Sequence, residues 1–208
     1  MTSPALEEIV AVLGAPAAGN PSQYLFERAF QAAGLEWQVV TCEVNPERVA
    51  EAVAGAAAMG FRGCLLAGPL RRLVLPLVAS ASPAATFAGG VGLLERSGTG
   101  FSGHMTDGRG VIEALRAHVD PAGRDVLVLG AGLTGRASAL ELALAGARRI
   151  FNAAPQEEWA TSLVEDLSRV HEQPVEQLAW GERLTVPPEV SIVVRATERA
   201  VPLDELRG

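Results

Sequence analysis

Gly130, Gly132 and Gly135 stand at G-x-G-x-x-G spacing, after the apolar run 126–129 and before the Ala/Leu-rich stretch 133–145. A second apolar run, 149–152, follows. The chemistry this order offers is the grip of a pyrophosphate. The first glycine permits a tight turn after a strand, and the second lets backbone amides approach the phosphates. The third lets a helix pack on the sheet with its N-terminal amides aimed at the anion. A β-α turn with no ligand has the same outline, so the motif implies a Rossmann-type unit before it implies a bound dinucleotide.

Few other residues are equipped for chemistry. All 17 basic residues are arginine, and the chain contains no lysine. His104, His118 and His171 form no cluster, and no Cys/His spacing suits zinc, so no metal is expected. Cys42 and Cys64 lie in or beside apolar runs and read as buried, reduced thiols. A formal net charge of −7 argues against nucleic acid or an anionic membrane as the main partner. Hydrophobic residues make up 49% of the chain, yet no run reaches the roughly 18 apolar residues of a membrane span. The N-terminus lacks the basic region of a secretory signal, so a cytoplasmic location is expected.

The elements that must position these residues alternate from the start. Strands are predicted over 9–13, 37–44 and 64–67, with helices over 22–33, 46–59 and 70–79. Strand-like pieces over 91–95 and 100–105 flank Ser97-Gly98-Thr99-Gly100, which reads as a hairpin. A helix over 108–119 leads to the turn Asp120-Pro121-Ala122-Gly123. Strand 126–129, helix 133–145, strand 149–152, helix 156–170, a weak strand near 174–179 and strand 190–194 follow. Strands alternating with helices imply α/β architecture with parallel sheets and helices on their faces. Two α/β domains are expected, 1–104 and 105–208.

Three segments, in this order, resemble the shikimate dehydrogenase family. They are Leu13-Gly14-Ala15-Pro16 with a helix opening at Ser22; Gly60 to Arg71, with Val74-Leu75-Pro76-Leu77 after it; and Gly103-His104-Met105-Thr106-Asp107-Gly108-Arg109-Gly110, leading to the Gly130 turn. The resemblance covers about residues 8–197. It implies a substrate-binding domain for a polyhydroxylated cyclohexene carboxylate, then an NAD(P)-binding Rossmann domain, with hydride passing between the two ligands in a reaction of amino-acid biosynthesis. It places the catalytic pair at Asp107 and Arg71, and substrate contacts at Asn20, Ser22 and Thr106. Cofactor contacts fall on Gly130, Ala131, Gly132, Leu133, Thr134, Gly135 and Thr197.

Several positions depart from the family pattern. The family's catalytic lysine is Arg71 here, and a guanidinium stays protonated, so it orients a hydroxyl or binds a carboxylate but does not accept a proton. Asp107 alone would have to serve as base, which requires an environment that makes it more basic. Gly92-Leu93 replaces a polar Asn-Thr pair, Met105 and Arg195 each replace an Asn, and helix N-capping competes for Asn20 and Ser22. About 20 residues past the glycines, where an acid selects NAD, Ala154-Pro155-Gln156 replaces the family's Asn-Arg-Thr. The cofactor is therefore NADP, NAD or none. Arg148 and Arg149 are expected to face solvent. Only four strands follow residue 123, so the Rossmann domain is expected to be truncated, without its nicotinamide half. The expected partner is a small-molecule carboxylate, and an uncovered sheet edge favours a homodimer.

Two readings follow: an NAD(P)-dependent oxidoreductase acting on a small hydroxy or keto carboxylate, or a non-catalytic nucleotide- or anion-binding descendant. Arg71 weighs toward the second where shikimate itself is the substrate.

Overall fold

The computed structural model describes residues 7–201, which form two compact units dividing between Met105 and Thr106. In the first unit the chain runs β1 (Ile9–Gly14), α1 (Ser22–Ala32), β2 (Gln38–Glu43), α2 (Val49–Ala58), β3 (Gly63–Leu66), α3 (Leu70–Leu73), β4 (Ser80–Ala81), α4 (Pro83–Ala88), β5 (Leu93–Ser97) and β6 (Gly100–His104). Its sheet has the order β2-β1-β3-β5-β6-β4. β1 is parallel to β2 and β3, whereas β5 is antiparallel to both β3 and β6. The sheet is therefore mixed where the helix–strand alternation predicted parallel pairing, because the hairpin at Ser97–Gly100 must reverse the chain. β1 is buried from Val10 onward, as a strand covered on both faces should be.

The helix expected over 70–79 is shorter. Pro76 cannot extend it, so α3 gives way to a single 3₁₀ turn, Leu75–Leu77, before β4. α4, which was not expected, is six residues long, started by Pro83 and capped by the Ser82 hydroxyl accepting from the Ala85 N–H. Cys64 is buried and its thiol is pushed up to about 12, chiefly by that burial, which makes it inert; Cys42, on β2, is half-buried and free.

The second unit runs α5 (Asp107–Arg116), β7 (Asp125–Leu129), α6 (Leu133–Leu144), β8 (Arg149–Ala153), α7 (Glu157–Ser168), β9 (Val175–Gln177) and β10 (Val190–Arg195). The sheet order is β10-β7-β8-β9, parallel throughout. Every residue of β7 is buried. α6 carries seven buried residues and no polar face, because it packs against α5 as well as the sheet. Gly108 allows that crossing: a Cβ there would lie 2.1 Å from the Ala137 carbonyl oxygen.

Right-handed crossovers place α6 and α7 on one face. The other face is covered by the segment between β9 and β10, which contains no helix. It inserts Leu184, 1% exposed, into a cluster of Leu127, Leu129, Phe151 and Ala153. Among the described residues no helix is long and apolar enough to cross a membrane.

Arginines brace this unit. Arg148 donates at 2.8 and 2.6 Å to the buried carboxylate of Asp125 and holds it below the ordinary carboxylate range. Arg136 on α6 does the same for Asp166 on α7. A carboxylate with a lowered folded-state pKa adds stability above its unfolded value, about 4, that is lost as pH falls through the folded value. Unfolding free energy measured by urea titration should therefore fall below about pH 4, and Asp125→Asn should flatten that fall. An unchanged profile in the variant would remove Asp125 from the account.

Candidate functional site

In the second unit the strand order reverses between β7 and β10, since β8 and β9 lie to one side and β10 to the other. Ligands of open α/β sheets bind outside the carboxyl ends of the strands at such a reversal. A cavity of about 280 Å³ lies there, lined by Gly130, Ala131, Gly132, Pro155, Gln156, Trp159, Ala196, Thr197, Glu198 and Arg199. The glycine turn forms its floor.

The three glycines have different physical reasons. Gly130 adopts φ +110°, and a Cβ on it would come within 2.6 Å of the Ala196 carbonyl oxygen. A Cβ on Gly135 would lie 2.2 Å from the Gly130 carbonyl oxygen. These two are required by packing. Gly132 has an ordinary φ of −73°, and a Cβ on it would meet no protein atom. Its missing side chain leaves open the approach to the start of α6. Leu133 and Thr134 open that helix, so their amides belong to its unpaired N-terminal donors.

The walls come from two loops. Asn152, buried in β8, donates its side-chain amide to the Val128 and Gly130 carbonyls at 2.9 and 3.1 Å and holds the turn in place. At the end of β10, Arg195 donates to the Thr197 and Arg199 carbonyls at 3.2 and 3.4 Å, while the Arg199 N–H donates to the Thr197 hydroxyl at 3.2 Å. Arg195, at the family's Asn position, thus shapes the loop that presents Thr197. Sequence reasoning missed Asn152, Trp159, Glu198 and Arg199; the one local signal was an amide inside an otherwise apolar strand.

Arg148 and Arg149 were expected to face solvent. Arg148 does so, 58% exposed while its guanidinium pairs with Asp125, whereas Arg149 is half-buried between Glu176 and Glu189 with its guanidinium over the Phe151 ring. Arg149 starts β8 and Arg148 precedes it, at the end of the strand away from the cavity.

Asp107 begins α5, and its carboxylate accepts from the Thr134 hydroxyl at 2.6 Å. Two residues expected in separate roles are thus joined. Thr106 precedes Asp107 with no side-chain cap bond, and its carbonyl accepts from the Gly110 N–H.

In the first unit, Asn20 Oδ1 accepts from the Ser22 N–H at 2.9 Å and orders the entry to α1, but the N-cap position is Pro21, so neither Asn20 nor Ser22 is the cap. Ser22 lines an apolar cavity of about 320 Å³ with Leu25, Phe26, Ala29 and Leu65. Arg71, half-buried on α3, donates to Met105 Sδ at 3.0 Å, and its carbonyl accepts from the Val91 N–H. Leu93 lies opposite His104 in the hairpin. The guanidinium thus lies against the Met105 thioether, at the position where the family pattern has an Asn.

Residues 12–94 match the model of the shikimate dehydrogenase substrate binding domain. The chain is 30% identical over 194 residues to a shikimate dehydrogenase (NADP(+)) of Desulforamulus reducens, covering 91% of this chain and 67% of that protein. It is 37% identical over 152 residues to a shikimate dehydrogenase (NADP(+)) of Geobacter sp. strain M21, covering 72% of this chain and 52% of that one. Among solved structures it resembles the ligand-free 5-ketofructose reductase of Gluconobacter sp. strain CHM43, with TM-score 0.89 and 30% identity over 95% of this chain and 74% of the other. The chain thus spans between about half and two thirds of the shikimate dehydrogenases it matches. By sequence match and by fold, it belongs to the shikimate dehydrogenase family of oxidoreductases.

Proposed function

We propose that the protein is a nicotinamide-dinucleotide-linked oxidoreductase whose substrate is a small hydroxy or keto carboxylate other than shikimate. The supporting observation is the cavity at the strand-order reversal, floored by a glycine turn whose middle glycine is open to a ligand. Gly130, Ala131, Gly132 and the first amides of α6 would hold the pyrophosphate, with Thr197 and Trp159 on the walls. When bound, the nicotinamide ring accepts or delivers a hydride.

Oxidising an alcohol also releases a proton. Of the residues at the family's two catalytic positions, only Asp107 can take it, because the Arg71 guanidinium is already protonated and stays so. Arg71 suits a different task, since its planar fork matches a carboxylate. That shift from proton transfer to anion binding is the reason for proposing another substrate. A relative that is a 5-ketofructose reductase supports the same view, as the fold also serves a substrate unlike shikimate.

A second reading, a non-catalytic nucleotide- or anion-binding descendant, is favoured by the same guanidinium and by the absence of lysine. Turnover of NADH and NADPH with shikimate, hydroxy acids, keto acids and keto sugars separates the two. Dinucleotide binding with no hydride transfer across the panel would leave the second reading standing. Arg71→Lys should raise turnover of shikimate by about 10²-fold by restoring a titratable proton acceptor. No gain would locate the obstacle at Leu93 and Met105.

A further inference from the structure

Resting on the dinucleotide reading above, we infer that this chain takes NAD(H) in preference to NADP(H), and that the choice is made by Gln156, Glu157 and Glu158. The two cofactors differ by one phosphate on the 2′ oxygen of the adenosine ribose. A dinucleotide seated on a glycine turn places that ribose beside the end of the second strand of the unit. Here that strand is β8, which ends at Ala153, and the adjoining cavity wall is Pro155, Gln156 and Trp159.

Nothing at this junction is suited to a phosphate dianion. Ala154 offers a buried methyl group, Pro155 has no N–H, and Gln156 carries a neutral amide. The first turn of α7 then presents two exposed carboxylates, Glu157 and Glu158. These already complement the positive end of the helix dipole, so that terminus is not left for an anion. A 2′-phosphate would meet like charge, whereas a 2′-hydroxyl meets the Gln156 amide, which both donates and accepts.

The nearby arginines do not reverse this. Arg148 and Arg149 lie at the other end of β8 on their own carboxylates, and Arg136 is paired with Asp166. Arg195 is spent on loop carbonyls. Among the described residues that line the cavity, Arg199 is the one cation; it comes from the loop after β10, whereas Gln156 comes from the loop after β8, and it is next in sequence to Glu198.

The test is equilibrium titration of the purified full chain with NAD(H) and NADP(H), read by calorimetry and by quenching of Trp159, which is 47% exposed in the cavity wall. NAD(H) should bind at least about tenfold more tightly at low salt, from the like-charge contact that NADP(H) alone makes. In the double variant Gln156→Arg, Glu157→Ser, the preference should invert; both positions are exposed, and circular dichroism checks that the fold is kept. Tighter or equal binding of NADP(H) by the native chain overturns the inference and leaves the dinucleotide reading intact. Should Arg199→Ala then weaken NADP(H) alone, Arg199 is the phosphate holder. Binding of neither cofactor overturns the dinucleotide reading and the inference with it.

Discussion

Gly135→Ala should destabilise the protein by about 3 kcal/mol or more, at the upper end of what overpacking costs. The added methyl would be placed 2.2 Å from the carbonyl oxygen of Gly130 and 2.8 Å from its carbon. Neither atom can yield: the Gly130 carbonyl is held by the Asn152 amide, and Gly130 is itself pressed against Ala196. The start of α6 would have to lift off the sheet. Gly132→Ala, three residues earlier, should leave stability unchanged, since its methyl meets nothing and its φ is ordinary. Its effect should fall on binding, with dinucleotide affinity reduced by about 10²-fold because the methyl occupies the phosphate approach. Urea denaturation and dinucleotide titration of both variants check the contrast. A stable Gly135→Ala, or a Gly132→Ala that binds normally, would contradict the roles assigned to these glycines.

Leu184→Ala should cost about 2–5 kcal/mol, the range for removing a buried leucine where the surroundings relax only in part. Leu184 is the most deeply buried part of the irregular segment between β9 and β10, packed on Leu127, Leu129, Phe151 and Ala153. Leu178, Trp180 and Val186 of the same segment also pack there, but each is only partly buried. For a chain of this size such a loss corresponds to a fall in Tm of about 5–15 °C. Exposed Glu182 is the control, and Glu182→Ala should be silent. If the two variants melt alike, the segment does not serve as the cover of this sheet face.

How much of this was legible in the sequence differs from element to element. β7, the glycine turn and α6 were legible because a buried strand, a tight turn and a helix start are local, and each leaves its own residue types. The hairpin was legible from Ser97-Gly98-Thr99-Gly100 for the same reason. The three segments resembling the family correctly indicated membership, later supported by the matches. The break after α3 was missed because the apolar pattern continued past Pro76, and α4 is too short to show a period. The solvent-facing position expected for Arg148 holds but that for Arg149 does not, since nothing next to them in the chain shows that Asp125, Glu176 and Glu189 come alongside.

By itself the sequence determined the α/β class, the glycine turn and the replacement of a titratable lysine by Arg71, because each depends on residue type and short-range order. Only the tertiary structure decided which glycines serve packing and which one faces a ligand. It also decided that Asp107 meets Thr134, and that Gln156, Trp159 and Arg199 line one cavity with the turn. The physical reason is that a residue's role depends on the atoms opposite it. Those atoms arrive from β8, β10 and the loops after them, far along the chain.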